Sequence, residues 1–288
     1  MLDPGLNGKV VVVTGANNPS GIGAATSRAF AGLGCRVFLH YLRGPVPAGE
    51  APDAPGEALY RALGSRSAED VVEEIWAKGG TAECWEADLS VPANACELFD
   101  RAEKRFGPVE ILVNNAAHAS YDTFDPGGRA VYGEASTAEA LALTAESHDA
   151  HFAVNSRAPA LLMVEFARRH VARGAGWGRI INIGTDGSSG HAGAVSYGAS
   201  KHALESYSRA AAAELGRYGI TVNIVAPGPI QTGWMEATLE AQAVQRTPLG
   251  RIGVSGDVAD AVVLLASEQA RWITGQTLYV GGGHRMPL

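Results

Sequence analysis

Apolar residues along this chain alternate between two kinds of spacing. Short runs rich in β-branched residues (Val10–Val13, Val37–Leu39, Ile111–Val113, Ile180–Ile183, Thr221–Val225 and Thr277–Val280) read as strands, and Thr81–Trp85 joins them. Between them, apolar positions recur three and four apart, the pattern of helices with one buried face. One such segment carries Ile22, Ala25, Ala29, Phe30 and Leu33 on one face. A second carries Val71, Val72, Ile75 and Trp76, and a third runs from Tyr197 to about Leu215. This alternation predicts an α/β fold: a doubly wound parallel sheet with helices on both faces. No internal repeat and no domain boundary interrupts it, so residues 1–288 are expected to form a single domain.

Two stretches exceed ordinary connections between elements. Arg43–Arg66 is rich in Pro, Gly and Ala and lengthens the link after the second strand by about twenty residues. Ala119–Ser147 contains Pro126-Gly127-Gly128 and a helical pattern over Thr137–Thr144.

Composition narrows the functional classes. A chain of 288 residues with 46% hydrophobic content can bury one large core. A net charge of −7 without a basic cluster argues against nucleic acid or an anionic membrane as partner. Met1–Lys9 lacks the apolar centre of a signal peptide, and no apolar run reaches membrane-spanning length, so a cytoplasmic protein is expected. The three cysteines (Cys35, Cys84, Cys96) have no metal-ligand spacing and read as idle thiols in a reducing compartment; no metal site is expected.

Two segments carry chemistry. After the first strand comes Thr14-Gly15-Ala16-Asn17-Asn18-Pro19-Ser20-Gly21-Ile22-Gly23, leading into a helix. Strand, glycine turn and helix together make a dinucleotide site credible. Gly15 permits the tight turn, Gly21 lets the backbone approach a pyrophosphate, and Gly23 allows helix and strand to pack closely. Ile22 opens the helix, whose N-terminal N–H groups suit phosphate. The second segment is Tyr197-Gly198-Ala199-Ser200-Lys201, which stacks a phenol and an ammonium four residues apart on one helical face. A fixed positive charge beside the phenol is expected to lower its pKa from ~10 toward the working range of a general acid/base.

With these motifs the chain resembles the short-chain dehydrogenase/reductases, and within them the 3-oxoacyl-carrier-protein reductase-like members. The likeness runs nearly end to end. It takes in the glycine turn, Asp88-Leu89, Asn114-Asn115-Ala116-Ala117, Asn155, Arg179–Ile183, the Tyr197 segment, Pro227-Gly228-Pro229-Ile230-Gln231-Thr232 and Gly275–Gly283. The resemblance implies a Rossmann-type sheet of about seven strands and an NAD(P)-dependent oxidoreductase. Tyr197 would then exchange a proton with the carbonyl or alcohol oxygen. Lys201 would tune Tyr197 and hold the nicotinamide ribose, and Asn155 would hold a water linking the lysine to solvent. The fourth catalytic position, usually Ser, falls on Thr185, with Ser188 or Ser189 as alternatives because the loop to Tyr197 is one residue short.

The same resemblance assigns Asp88 and Leu89 to the adenine border and Asn114, Asn115 and Ala116 to the turn supporting the ribose. Ala117 stands where glycine is usual. Pro227, Gly228 and Ile230 match the nicotinamide turn, and Thr232 the hydroxyl contacting its carboxamide or the phosphates. Asn17 lies within the phosphate turn. An acidic residue after the second strand would favour NAD; here the sequence is His40-Tyr41-Leu42-Arg43, and a guanidinium suits a 2′-phosphate. NADP is therefore expected, with NAD still open, and Tyr41 and Arg43 as the residues that decide.

On this reading the insertions at 43–66 and 119–147 are either tolerated surface additions or shapers of the adenosine end and the substrate mouth, respectively. His118, Tyr121, Asp186, Trp234 and Met235 are the residues placed to face the substrate, a small carbonyl or alcohol compound. The chain's acidity gives little support for an acidic carrier protein as partner. Relatives associate through the helix bearing Leu204, Tyr207, Ala211 and Leu215 and through the last strand, so a homotetramer or homodimer is implied. Two other classes use the same pocket: a nicotinamide-binding sensor or scaffold without turnover, and an epimerase or dehydratase that retains its cofactor.

Overall fold

The structure is a computed structural model that describes residues 3–47, 49, 53–127 and 141–285. Its strands and helices follow as β1 (Val10–Thr14), α1 (Ile22–Gly32), β2 (Arg36–Tyr41), α2 (Glu57–Gly64), α3 (Glu69–Ala77), β3 (Thr81–Glu86), α4 (Ala93–Phe106) and β4 (Ile111–Asn114). Then come β5 (Asp122–Thr123), β6 (Leu141–Ala142), α5 (Ala145–Phe152), α6 (Ala158–Ala172), β7 (Gly178–Ile183), α7 (Val195–Leu215) and β8 (Ile220–Pro227). The chain closes with β9 (Ile230–Gln231), α8 (Ala237–Arg246), β10 (Gly253–Val254), α9 (Ser255–Ala266) and β11 (Thr277–Val280).

Seven of these strands form one parallel sheet in the order β11-β8-β7-β4-β1-β2-β3. Helices cover both faces, which is why the central strands read as continuous apolar runs. Alternation along β1 divides the core in two. Val11 and Val13 pack with Phe30, Val71, Ile75 and Val262, while Val10 and Val12 pack with Leu98, Phe99, Leu162 and Phe166. The strand order reverses at β1, whose neighbours are β2 and β4. The loops after β1 and β4 therefore diverge and leave the crevice where ligands sit in such sheets.

All seven expected strands are present, and α7 begins two residues before Tyr197. The buried face of α1 differs from the expected one. It comprises Gly23, Ala24, Thr26, Ser27, Phe30 and Ala31, while Ile22, Ala25 and Ala29 are only partly covered. Small residues let α1 approach its neighbours closely, and Ser27 satisfies its hydroxyl on Gly23 O at 2.8 Å. A count of large apolar residues misses such a face. Trp76 likewise leaves the buried side of α3. It is 53% exposed and its Nε1 donates to Ala82 O at 3.0 Å, so the ring lies over the start of β3.

The helical reading of Thr137–Thr144 also fails where it can be compared. Leu141–Ala142 is a strand paired with Asp122–Thr123, and α5 starts only after Thr144, whose Oγ1 accepts from Ser147 N at 3.2 Å. Gly128 and residues 137–140 lie outside the described residues. In α7, Leu204 is buried against the chain's own core (1% exposed) rather than on a subunit face, whereas Tyr207 is half exposed.

Candidate active site

The glycine turn is built by exclusion of side chains. Gly15 has φ +70°, and a Cβ there would sit 2.7 Å from Ala116 Cα. A Cβ on Gly23 would lie 2.3 Å from Gly15 O and 2.7 Å from Asn115 Nδ2. Asn115 locks this approach from the end of β4: its Nδ2 donates to Thr14 O (2.9 Å) and Gly15 O (2.8 Å). Thr14 Oγ1 accepts from the backbone N–H groups of Asn115 and Ala116, both at 3.0 Å. Asn114 instead donates to Asn182 Oδ1 at 2.7 Å and ties β4 to β7. At the N-terminus of α1, Gly21 is extended, no side chain caps the helix and no acid stands in the first turn. Ile22 is the first helical residue. An uncapped N-terminus behind Gly21 and Gly23 fits a pyrophosphate, which would supply the acceptors that the helix lacks. The far end of the crevice is equally tight: a Cβ on Gly228, next to Pro227, would meet Gly281 Cα at 2.7 Å. Ile230 is buried, and Thr232 O accepts from Asn18 Nδ2 at 3.1 Å.

Other expected cofactor residues are already engaged. Asn17 Nδ2 donates to Gly64 O (2.8 Å) and Arg66 O (3.1 Å), clasping the end of the first insertion. Tyr41 is buried, with its hydroxyl 2.9 Å from Ser67 Oγ. Arg43 is half exposed and pairs with Glu86 at 2.7 Å, which holds that carboxyl below its usual range. Asp88 Oδ1 accepts from Ser90 N at 2.8 Å, and Leu89 sits in the core beside Phe38.

The catalytic candidates converge where β7 ends. Lys201 is 2% exposed and its Nζ donates to Ile183 O at 2.8 Å. The ammonium lies 5.9 Å from the centroid of the Tyr197 ring. Burial pushes Lys201 down to about 8 and Tyr197 up to about 12, the latter helped by the nearby Tyr60 and Asp186. This corrects the expected downward pull of Lys201 on Tyr197: desolvation of the phenolate dominates. Asn155 lies in a π-helical turn, Ala153–Arg157, between α5 and α6. It is fully buried, and its amide accepts from His118 N and donates to His118 O (both 2.8 Å) and to Ser200 Oγ at 3.0 Å.

In the loop after β7, Thr185 Oγ1 accepts from Gly187 N at 3.3 Å. Ser188 is buried and donates to Glu205 of α7, so its hydroxyl proton is already used, while Thr185 is partly covered and Ser189 exposed.

Three substrate candidates are held by partners. Asp186 Oδ2 is 2.8 Å from His284 Nδ1 of the C-terminal segment. Trp234 Nε1 donates to Ile230 O at 3.0 Å. His118 packs edge-on against His151, with centroids 4.7 Å apart, and burial lowers its pKa. Met235 is 2% exposed and belongs to the core, whereas Tyr121 is at the surface, 37% exposed.

One anchoring residue near the site carries no signal in the sequence. Asp122, 1% exposed, accepts from Ser196 N at 2.9 Å and from Ser147 Oγ at 2.6 Å. It thereby anchors the first turn of α7, one residue before Tyr197, to the second insertion and α5. A lone Asp in a long connection carries no periodic signal that could have revealed this.

The described residues contain no group of three or more His, Cys, Asp or Glu arranged to hold a metal, and no helix long and apolar enough to cross a membrane.

Along nearly its whole length the chain is similar to known proteins. A family model described as enoyl-(acyl carrier protein) reductase matches residues 50–285. The chain is 34% identical over 284 residues to NADPH-dependent aldehyde reductase 2, chloroplastic, of Arabidopsis thaliana, covering 96% of this chain and 94% of that one. It is 32% identical over 285 residues to the 3-oxoacyl-[acyl-carrier-protein] reductase FabG of Pseudomonas aeruginosa, covering 98% and 99%. A solved structure of a doubly substituted Serratia marcescens short-chain dehydrogenase/reductase superposes with a TM-score of 0.76 at 29% identity, covering 97% of this chain and 98% of that one.

Proposed function

The chain belongs to the short-chain dehydrogenase/reductase family and is a nicotinamide-dependent oxidoreductase; from that premise we propose that it reduces a small carbonyl compound with NADPH, using Tyr197 as proton donor. The observation that carries this reading is the placement of Tyr197 and Lys201 on one helix, with the ammonium pinned to the carboxyl end of β7. When bound, the dinucleotide supplies the hydride. The uncapped N-terminus of α1, behind Gly15, Gly21 and Gly23, would hold its pyrophosphate. Pro227, Gly228, Ile230 and Thr232, with Ala117, would border its nicotinamide end, and Asp88, Leu89, Asn115 and Ala116 its adenosine and ribose side.

Lys201 has three N–H donors, of which Ile183 O takes one; the others are free for ribose hydroxyls. Burial keeps the Tyr197 phenol protonated, the form a proton donor needs, although the raised pKa makes it a weaker acid that the bound carbonyl and cofactor must offset. Thr185 uses its oxygen as acceptor from Gly187 and keeps its hydroxyl proton for the same substrate oxygen. Asn155 fixes the loop after β4 to α7 and so holds the two sides of the site in register.

NADP is favoured by the absence of a carboxylate at the end of β2 and by half-exposed Arg43, whose guanidinium would exchange part of its contact with Glu86 for a 2′-phosphate. A relative named as NADPH-dependent supports the same choice. Tyr207, Leu278 and Trp272 are exposed on α7, on the last strand and just before it, and they support a homotetramer or homodimer, which light scattering would read as a multiple of the chain mass. The reduced thiols Cys35, Cys84 and Cys96 accord with a cytoplasmic location, which cell fractionation tests.

Turnover of an aldehyde panel is the decisive assay. Tyr197→Phe is expected to lower kcat by roughly a thousandfold while leaving the fluorescence titration of NADPH unchanged. Undiminished activity overturns the assignment of Tyr197. Faster initial rates with NADH than with NADPH overturn the cofactor choice. Binding without consumption of NADPH across the panel would favour the sensor or cofactor-retaining readings.

A further inference from the structure

After β11 the chain turns back over the site rather than away from it. His284 N donates to Gly281 O at 3.0 Å and closes that turn. Three glycines let the turn lie close against two neighbouring loops. A Cβ on Gly281 would meet Gly228 Cα at 3.0 Å, one on Gly282 would meet Thr247 Cγ2 at 2.8 Å, and one on Gly283 would meet Pro248 Cγ at 2.8 Å. Backbone bonds fix the same approach. Gly228 N donates to Val280 O at 3.1 Å, and Leu249 N to Gly282 O at 3.2 Å.

From this turn one side chain crosses to the loop after β7. His284 Nδ1 lies 2.8 Å from Asp186 Oδ2, and the Asp186 side chain is only 10% exposed. Facing a carboxylate, Nδ1 carries the hydrogen and Asp186 accepts it. Among the described residues no other side chain bonds this carboxylate. A nearly covered carboxylate deprived of that partner must turn toward water and carry its loop along. The same Oδ2 would lie 3.2 Å from a Cβ on Gly228, so the pair sits where three segments meet. Main-chain bonds tie the start of the loop to β8: Gly184 N donates to Val225 O (2.8 Å) and Asp186 N to Pro227 O (3.0 Å). Thr185 stands between these two residues. Its Oγ1 is oriented by Gly187 N at 3.3 Å, a long bond that holds little by itself, and the Gly187 amide points where Asp186 sets it.

We propose that His284 is a positioning residue for Thr185: its hydrogen bond to Asp186 clamps the loop after β7 against the Pro227-Gly228 turn and so aims the Thr185 hydroxyl at the substrate oxygen. This rests on the reductase reading of the site. It gives Asp186, expected to face the substrate, a different task, which is to hold the loop.

The test compares wild type, His284→Ala and His284→Asn, each with Thr185 intact and with Thr185→Val, on propanal, hexanal and benzaldehyde under saturating NADPH. His284→Ala is expected to lower kcat about tenfold, with KM for the aldehyde and NADPH affinity within about twofold of wild type. Asparagine places its Nδ2 where the imidazole carries Nδ1, so His284→Asn should recover most of the loss. Beside Thr185→Val, His284→Ala should cost less than about twofold more, because both changes act on one step. An unchanged kcat in His284→Ala, an Asn variant as poor as Ala, or an equal loss in both Thr185 backgrounds overturns the proposal. Hydrogen exchange reads the clamp without turnover. The Asp186 and Gly187 amides should exchange at least about tenfold faster in His284→Ala, while amides of the central strands stay as in wild type. Equal exchange at Asp186 and Gly187 in the two proteins overturns the clamp, and faster exchange throughout the sheet marks a folding defect and overturns it as well. If wild type reduces none of the aldehydes and the local exchange difference is present, the reductase reading fails together with the role of Thr185, and the clamp alone stands.

Discussion

The glycine turn after β1 and the mouth around α2, β5 and α7 lie on the same edge of the sheet but are built on opposite principles. The turn is defined by what cannot be present. Gly15 and Gly23 leave no room for a Cβ, and Asn115 closes the main chain around them. The mouth is defined by what must be present: the Asp122 carboxylate on α7, the Gly56 amide on Gly233, and the Lys201 ammonium on Ile183. A site of exclusion fails when anything is added, because the neighbours are backbone atoms that cannot move independently. A site held by hydrogen bonds weakens bond by bond, and a similar side chain can restore it.

The sharpest break of this contrast is Gly23→Ala. One methyl group placed 2.3 Å from Gly15 O must displace the turn, so NADPH affinity is expected to fall at least roughly a hundredfold, with overpacking costing about 1–3 kcal/mol of stability. Fluorescence titration and urea unfolding measure the two effects. Wild-type affinity in the variant would mean that the turn is softer than its geometry.

At the mouth, Asp122→Ala leaves the Ser196 N–H and the Ser147 hydroxyl without their acceptor, at a cost of about 1–3 kcal/mol. We expect kcat to drop about tenfold or more through displacement of Tyr197, with NADPH affinity retained. Asp122→Asn keeps an acceptor for Ser196 and should recover most of kcat. If Asn is as poor as Ala, the carboxylate charge matters rather than its geometry.

The smallest effect is on pH dependence. Lys201 has a pKa of about 8 in the folded chain, against an ordinary 10.5. The folded state then binds fewer protons at this group than the unfolded state between those values, so its contribution to stability rises with pH across that window. Below about 8 the buried ammonium is a constant penalty. Tyr197, raised to about 12, is protonated in both states until pH approaches 10 and adds nothing there. Urea unfolding at pH 8 and pH 9.5 should show this upward contribution in wild type and not in Lys201→Met. Identical pH dependence in the two proteins would contradict the burial of the charge.

The sheet was legible from the chain because each parallel strand is buried on both faces and so leaves an uninterrupted apolar run. The glycine turn was legible because exclusion dictates residue type locally. Tyr197 and Lys201 were legible because helical spacing alone puts them on one face. Helix faces were harder to read: in α1 the buried side is, apart from Phe30, made of Gly, Ala, Ser and Thr, which hydropathy undervalues, and Leu204 serves the chain's own core.

The sequence by itself therefore determined the strand runs, the glycine turn and the paired phenol and amine, all of which rest on interactions within about one turn of chain. Tertiary structure alone decided that α2 lies against Gly233, that Asp122 anchors the first turn of α7, that Ser188 belongs to Glu205, and that burial moves the Tyr197 and Lys201 proton affinities toward neutrality of both groups. These depend on which distant segments meet and on how much water they displace, and neither quantity is encoded in local spacing.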